Sequence, residues 1–468
     1  MAFSIPGLGL PGAATSSFQQ SSTADPQSTV ARTETLQPRT EWRFEVAFGR
    51  SYTIKLTSGT AEHWGTELAT DITYTFTGYK GAIFSWQGCT LEVAGTAEAE
   101  YVGEDTTYAV EWLNVHGALS DLRTASASGS EAPRVLVVGP DHTGKTSLVR
   151  TLAAWAVRLG KAPLVVNLDS RQGMLAPPGS FTAAVVRDSM DVELGFGISP
   201  ITGPTSLPVK TPLVHSWPFV STADDQASFK QVTTRMALHV SGRLEADADT
   251  KVSGMIVDTP GSLNDPRTSY DQLHHVISEL SITHILVVES ERLNADLQRR
   301  YTSTIPVIKL RKPAGAVERD KAFLRMNRAR QIRSYFFGPS NVTLNPHSHS
   351  VAFNELHIYR FNTASSATEP SFAPGADDDY EPDPAGGLLE KVVPTAALTA
   401  SLVAIKFCSG SKSDDNEIRD STVMGYAYVA EVDDTRKRVR FLAPHPQKWG
   451  DRALLLGSFP EAVPDLIV

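Results

Sequence analysis

Apolar and polar positions alternate through Trp42-Arg43-Phe44-Glu45-Val46, Tyr52-Thr53-Ile54-Lys55-Leu56, Asp71-Ile72-Thr73-Tyr74-Thr75-Phe76 and Ala82-Ile83-Phe84-Ser85-Trp86, with glycine-containing turns between them. A period of two places the apolar side chains on one face of a strand, so this stretch predicts a small β domain over residues 41–123. A Ser/Ala/Gly-rich stretch from Thr124 to Glu131 reads as a linker. From Arg134 the pattern changes to short unbroken apolar runs: Arg134 to Val138, Leu164 to Leu168, Met255 to Val257 and Ile285 to Val288. Strands buried on both faces read this way. Between the first two runs Leu148, Leu152, Trp155 and Leu159 recur at helical spacing, and Gly160 is placed to end the helix. The alternation predicts an α/β domain over residues 132–337, a parallel sheet covered by helices. After Gly338 the strand pattern returns in His357-Ile358-Tyr359-Arg360-Phe361, Met424-Gly425-Tyr426-Ala427-Tyr428-Val429 and Val439-Arg440-Phe441-Leu442. A third, mainly β domain is therefore expected over residues 338–468.

Two segments carry neither period. The first 40 residues are rich in Ser, Thr, Gln, Pro and Gly and predict a disordered arm. Residues 362–390 hold seven acids, four prolines and neither Lys nor Arg, which predicts a disordered insert. Over the 468 residues, 43 Lys and Arg face 52 Asp and Glu, a net charge of −9 that argues against coating nucleic acid over a wide surface. Cys89 and Cys408 fit no zinc or disulfide spacing, which points to a reducing compartment. No apolar run approaches the roughly 20 residues that span a bilayer, and the start lacks a basic leader region, so an intracellular chain without a membrane partner is expected.

Between the first strand and its helix stands Gly139-Pro140-Asp141-His142-Thr143-Gly144-Lys145-Thr146, the G-x-x-x-x-G-K-[ST] pattern of a P-loop. Its glycines let backbone N–H groups close around phosphate oxygens, the helix start adds positive potential, Lys145 reaches the β/γ oxygens and Thr146 holds Mg²⁺. The nucleotide-binding set read here is Gly139, His142, Thr143, Gly144, Lys145, Thr146 and Ser147. Asp169 and Asp258 each follow a strand, at the sheet edge that faces ligand. Such an acid holds Mg²⁺ or accepts the proton of an attacking hydroxyl; the bland alternative for Asp258 is a turn or cap residue. Asp258-Thr259-Pro260-Gly261 also fits the D-x-x-G of a GTPase switch, yet the chain has no Asn-Lys-x-Asp or Thr-Lys-x-Asp guanine reader. From Lys309 to Arg333 nine basic residues meet two acids. Such a run reads as an arginine-bearing lid over the phosphates, or as a solvated basic face that holds RNA.

Taken together, Gly139 to Thr146, Asn167-Leu168-Asp169 with Gln172-Gly173, Ala316-Val317-Glu318-Arg319 and Ile332-Arg333-Ser334-Tyr335-Phe336-Phe337-Gly338 resemble the polynucleotide 5′-hydroxyl kinases. Within that family they resemble most the branch of ATP-bound subunits of the nuclear pre-mRNA cleavage and polyadenylation factor. Glu41-Trp42-Arg43-Phe44-Glu45-Val46, Gly65-Thr66-Glu67-Leu68 and Gly425-Tyr426-Ala427-Tyr428-Val429 extend the likeness from about Glu41 to Phe459. The resemblance implies ATP and Mg²⁺ held between the N-terminal and central domains, with Glu41 and Lys80 beside the adenine. It implies Thr146 and Asp169 at the metal, partly through water, and Lys145, Asp169, Arg328 and Arg333 as the catalytic set of any remaining kinase activity. It implies a nuclear location and, as partners, the cleavage-factor scaffold protein that binds the RNA polymerase II tail, other cleavage and polyadenylation subunits, and RNA.

The chain departs from the kinase pattern on the acceptor side. The family's active kinases carry Thr-x-Gly-Trp in the loop that clasps RNA, where the Trp stacks on a base; here the loop is Thr259-Pro260-Gly261-Ser262. Arg171 stands where the family has Gly after its Asp-x, and Ser216-Trp217-Pro218-Phe219 replaces a Phe-Gly loop. The expectation is an ATP-binding scaffold whose kinase chemistry is lost. The rivals are a working RNA 5′-hydroxyl kinase and, third, a GTPase-like switch.

Overall fold

The computed structural model describes residues 30–197, 212–301, 303–339, 343–362, 388–446, 450–457 and Leu466. Two small sheets face each other at the N-terminal end. One has the order Arg32–Leu36, Cys89–Gly95, Tyr52–Gly59, Thr73–Phe76, and the other Thr66–Glu67, Glu62–His63, Tyr79–Ser85, Thr40–Val46, Ala99–Gly103. Their inward residues, among them Trp42, Phe44, Tyr52, Ile54, Phe76, Ile83 and Leu91, form one buried cluster, as the alternating pattern predicts.

The central sheet has seven strands in the order Leu213–Ser216, Ser180–Val185, Leu164–Asn167, Met255–Asp258, Arg134–Val138, His284–Val288, Val307–Leu310. The five from Leu164–Asn167 onward run parallel, and the first two join antiparallel. All four unbroken apolar runs are strands of this sheet, with Val135 to Val138, Ile256, Val257 and Ile285 to Val288 fully buried. The helical spacing of Leu148, Leu152 and Trp155 becomes the helix Lys145–Arg158, and Gly160 follows it at φ 70. A further seven-stranded sheet, antiparallel except for the pair His357–Phe361 and Arg452–Leu456, closes the chain. Tyr335, on the helix Lys321–Phe337, ties it to the central domain by accepting a 2.9 Å bond from the Tyr426 backbone N–H.

Three expectations need correction. Arg32–Leu36, inside the predicted arm, is a strand paired along its length with Cys89–Gly95, and Leu36 is buried. Its Arg-Thr-Glu-Thr-Leu sequence offers one apolar residue, too few to show a period. The N-terminal unit also ends in a helix, Thr107–Ala127, which absorbs the start of the predicted linker. Leu389–Lys391 is a strand at the end of the predicted insert; residues 363–387, like residues 1–29, lie outside the described residues.

Candidate functional site

The P-loop leaves the strand Arg134–Val138 at its carboxyl end and enters the helix Lys145–Arg158. A Cβ on Gly139 would lie 2.5 Å from the Val288 carbonyl oxygen, and one on Gly144, at φ 82, 2.7 Å from the Pro313 ring. Only glycine fits at either place. The Thr143 hydroxyl donates to the Pro140 carbonyl (2.8 Å) and the Asn264 amide to that of Gly139 (2.6 Å), which brace the loop. Lys145 is buried and folds back, its Nζ donating to the Pro140 carbonyl at 2.6 Å. Burial pulls its pKa down, opposed by the charges of Asp258, Asp141 and Asp169.

Adjacent parallel strands bring the two acids to this edge, where both are buried. Thr146 Oγ1 donates to Asp258 Oδ2 at 2.6 Å, and Asp258 Oδ1 has no partner among the described residues. Burial pushes the Asp258 carboxyl up to about 6, against the pull of the Thr146 bond and the Lys145 charge. Asp169 is engaged differently. Arg171 donates to its Oδ1 from Nε (2.9 Å) and to its Oδ2 from Nη2 (3.0 Å), and Gln172 adds a 3.2 Å bond. The other edge of the same guanidinium grips Asp141 of the P-loop, at 2.9 and 2.7 Å. Burial raises the Asp169 pKa, but the Arg171 charge and bonds outweigh it, and the net shift is downward. Asp141 is likewise held well below the carboxylate range by the Arg171 bond.

Above this edge lies a cavity of about 550 Å³ between the N-terminal and central domains. His142, Thr143, Gly144, Lys145, Thr146, Ser147, Asp169 and Asp258 line it below, Thr75 to Lys80 from one side, and Phe323, Arg330 and Arg333 from another. Lys80 pairs with Glu45 at 2.7 Å and donates to the Glu318 carbonyl. Arg333 stacks on Phe337 and donates to the Leu466 carbonyl at 3.3 Å. Three predicted site residues stand back from the lining. The Glu41 carboxylate is fully buried, with bonds from Arg43 and Tyr108, and Arg328 lies on the helix Lys321–Phe337 outside the cavity wall. Gly139 also sits behind the wall, its carbonyl taken by Asn264.

The residues expected on the acceptor side have clear local roles. Ser262 meets the Thr222 hydroxyl at 3.2 Å, and Trp217 is fully buried against Phe181, its ring stacked at 5.4 Å. Neither presents a ring to the cavity. Sequence reasoning missed Tyr79 and Arg150 as site residues, and noticed Arg319 only within the basic run and the Ala316-Val317-Glu318-Arg319 motif, without a role. Tyr79 and Arg150 come from different domains and meet only when the N-terminal sheet packs on the P-loop helix, so no local signal marks them.

Comparison with known proteins places these features. Residues 139–338 match the family described as the mRNA cleavage and polyadenylation factor CLP1 P-loop, residues 35–126 the N-terminal beta-sandwich domain of polyadenylation factor, and residues 344–461 the pre-mRNA cleavage complex II protein Clp1. A relative from Botryotinia fuckeliana, named mRNA cleavage and polyadenylation factor clp1, is 44% identical over 99% of this chain and 100% of its own. One of the same name from Phaeosphaeria nodorum is 44% identical over 94% and 96%. A solved complex of wild-type Clp1p with Pcf11p superposes at a TM-score of 0.82 with 27% identity, covering 92% of this chain and 98% of its own. A second, described as an extended interface between Pcf11p and Clp1p with the structural basis for ATP loss in a point mutant, superposes at 0.81.

Proposed function

Because the chain belongs to the Clp1 family of mRNA cleavage and polyadenylation factors, we propose that it is the ATP-binding scaffold subunit of a nuclear pre-mRNA cleavage factor, and that it transfers no phosphate. The observation that carries this reading is the guanidinium of Arg171, clamped between Asp141 of the P-loop and both oxygens of Asp169. A general base must offer a free lone pair to the incoming hydroxyl. Asp169 has spent both oxygens on a cation that also holds its pKa down. On the nucleotide side, by contrast, Lys145 and Thr146 line the cavity and the P-loop keeps glycine at both positions where a Cβ would clash, which supports the nucleotide reading.

With the Asp169 carboxylate occupied, Mg²⁺ falls to Thr146 and Asp258. Their oxygens are 2.6 Å apart and Asp258 Oδ1 is a buried acceptor without a partner among the described residues, the donor set a hard cation takes. Bound only by the folded chain, ATP stabilises it by mass action and ties the N-terminal sheet to the P-loop domain. The superposed Clp1p complexes contain Pcf11p; by family likeness the partner here is a cleavage-factor scaffold protein of that kind, with other cleavage and polyadenylation subunits around it.

The test is to denature purified protein, identify the released nucleotide, and incubate native protein with γ-labelled ATP and a 5′-hydroxyl RNA oligonucleotide. Stoichiometric intact ATP with unlabelled RNA is expected. Label on the RNA that is lost in Lys145→Ala would replace this reading with an active kinase.

A further inference from the structure

Three arginines line one side of the cavity and form no ion pair with a carboxylate among the described residues: Arg150, Arg319 and Arg330. Their neighbours are different, Arg171 being paired twice and Lys80 once. Asp141 and Asp169 lie within electrostatic range of Arg319 and give their hydrogen bonds to Arg171, whose single charge offsets one of the two; Arg150, with no ion pair among the described residues, is the least compensated of the three. Of the three, Arg150 touches the Tyr79 hydroxyl, while Arg330 donates to the Thr77 carbonyl and to Asn327 nearby. The Arg150 bond to that hydroxyl is 3.2 Å long, and the hydroxyl lies within electrostatic range of Arg319 and Arg330.

The direction of the hydrogen bonds shows what is left over. His63 Nδ1 faces the Ala82 carbonyl at 2.9 Å, so that nitrogen carries the proton and Nε2 accepts from Tyr79 at 2.9 Å. Tyr79 therefore gives its proton to His63 and receives from Arg150 Nη1. Arg150 is nine-tenths buried, and its Nε and Nη2 find no partner among the described residues. Arg319 has one neutral acceptor, Gln172 Oε1 at 3.3 Å. For Arg150, a buried guanidinium without an ion-pair partner is costly, and the arrangement is explained if an anion completes it. The P-loop does not supply that anion's seat. Arg150 stands five residues beyond Lys145, about 7.5 Å along the helix axis from the N-terminus where P-loop phosphates rest.

We propose that Arg150, Arg319 and Arg330 form a second phosphate subsite beside the P-loop, built at the seam of the two domains, which takes a terminal phosphate carried either by the nucleotide or by a 5′-phosphorylated oligonucleotide. Guanidinium forks match phosphate geometry, and three of them around a phenol make a site for a dianion. The subsite rests on the nucleotide reading above.

The experiment uses the full chain with Arg319→Gln, Arg150→Met and, as a control, Lys145→Ala. Calorimetry measures ATP affinity, then at saturating ATP the affinity for one oligonucleotide with a 5′-phosphate or a 5′-hydroxyl; melting temperature is measured without ligand and with inorganic phosphate. Each arginine variant is expected to weaken one phosphate probe by about tenfold or more, and the ligand-free melting temperature of Arg150→Met to hold or rise, since an unpaired buried charge has gone. Loss on ATP assigns the phosphate to the nucleotide. Loss on the 5′-phosphorylated oligonucleotide alone assigns it to the RNA end. Unchanged affinities with a lowered ligand-free melting temperature would make the arginines structural and overturn the subsite. Should wild type bind no ATP, the nucleotide reading fails, and the subsite is then decided by whether Arg319→Gln abolishes the inorganic phosphate shift.

Discussion

At the scale of residues, small changes in charge placement decide what the P-loop edge can do. Arg171 takes both Asp169 oxygens and bridges to Asp141, while Ser262 leaves the acceptor loop without a ring. Arg171→Gly alone is therefore expected to leave RNA unlabelled, because a freed base without a stacking platform does not hold the 5′ end. Arg171→Gly with Ser262→Trp is expected to transfer γ-label measurably, and a double variant as silent as wild type would show that the block lies elsewhere. His63 gives a pH signature. Burial, then the Arg150 charge, pushes its pKa down to about 3, so the folded chain keeps it neutral where the unfolded chain protonates it near 6.5. The unfolded state binds the extra proton between those values, so this contribution is intact above about pH 6.5 and is lost as pH falls. From pH 7 to pH 5 the loss from His63 is about 2 kcal/mol. Urea unfolding across that range should show the slope, and His63→Gln should flatten it.

At the scale of elements, the strands with the strongest pattern were readable and those held by tertiary contact were not. The four unbroken runs of the parallel sheet and the P-loop helix follow directly from burial on both faces and from the 3.6 period. The strand Arg32–Leu36 does not, since its partner Cys89–Gly95 supplies the reason for it. If that pairing is integral, Leu36→Ala should cost about 2–5 kcal/mol, as for other buried leucines, and chemical denaturation would detect it; a change near zero would return the segment to the arm. The helix Thr107–Ala127 was likewise hidden in a region read as β. It packs Tyr108, Trp112, Val115 and Leu119 on the central domain, and its Glu111 pairs with Arg311 at 3.0 Å. For the site the division is the same. Lys145, Thr146, Asp169 and Asp258 stand in contiguous motifs, whereas Tyr79 and Arg150 meet only because one domain lies opposite the other.

At the scale of the molecule, the N-terminal sheet acts as one wall of the cavity above the P-loop, and its grip on the P-loop helix governs how that wall is held. Trp155 on that helix donates to Glu62 at 3.0 Å, Trp86 adds a 3.2 Å bond to the same carboxylate, and Arg158 pairs with Glu67. Gly65 sits in the turn between them at φ 83, and a Cβ there would come within 2.8 Å of Thr151 Cα and 2.9 Å of its carbonyl oxygen. Gly65→Ala meets two obstacles: a left-handed backbone that costs an L-residue about 1–2 kcal/mol, and a clash with helix backbone that cannot yield as a flexible side chain would. The least costly response is for the turn to lift the sheet away from the helix. That movement loosens the Trp155 to Glu62 bond and draws Tyr79 from Arg150, widening the cavity without touching a P-loop residue. Gly65→Ala should then retain less nucleotide through purification than wild type, and hydrogen exchange should rise in Tyr79–Ser85 and the helix Lys145–Arg158 while the C-terminal sheet stays protected. Equal retention with unchanged exchange would mean that the P-loop holds nucleotide without the N-terminal sheet, and that the seam is packing alone.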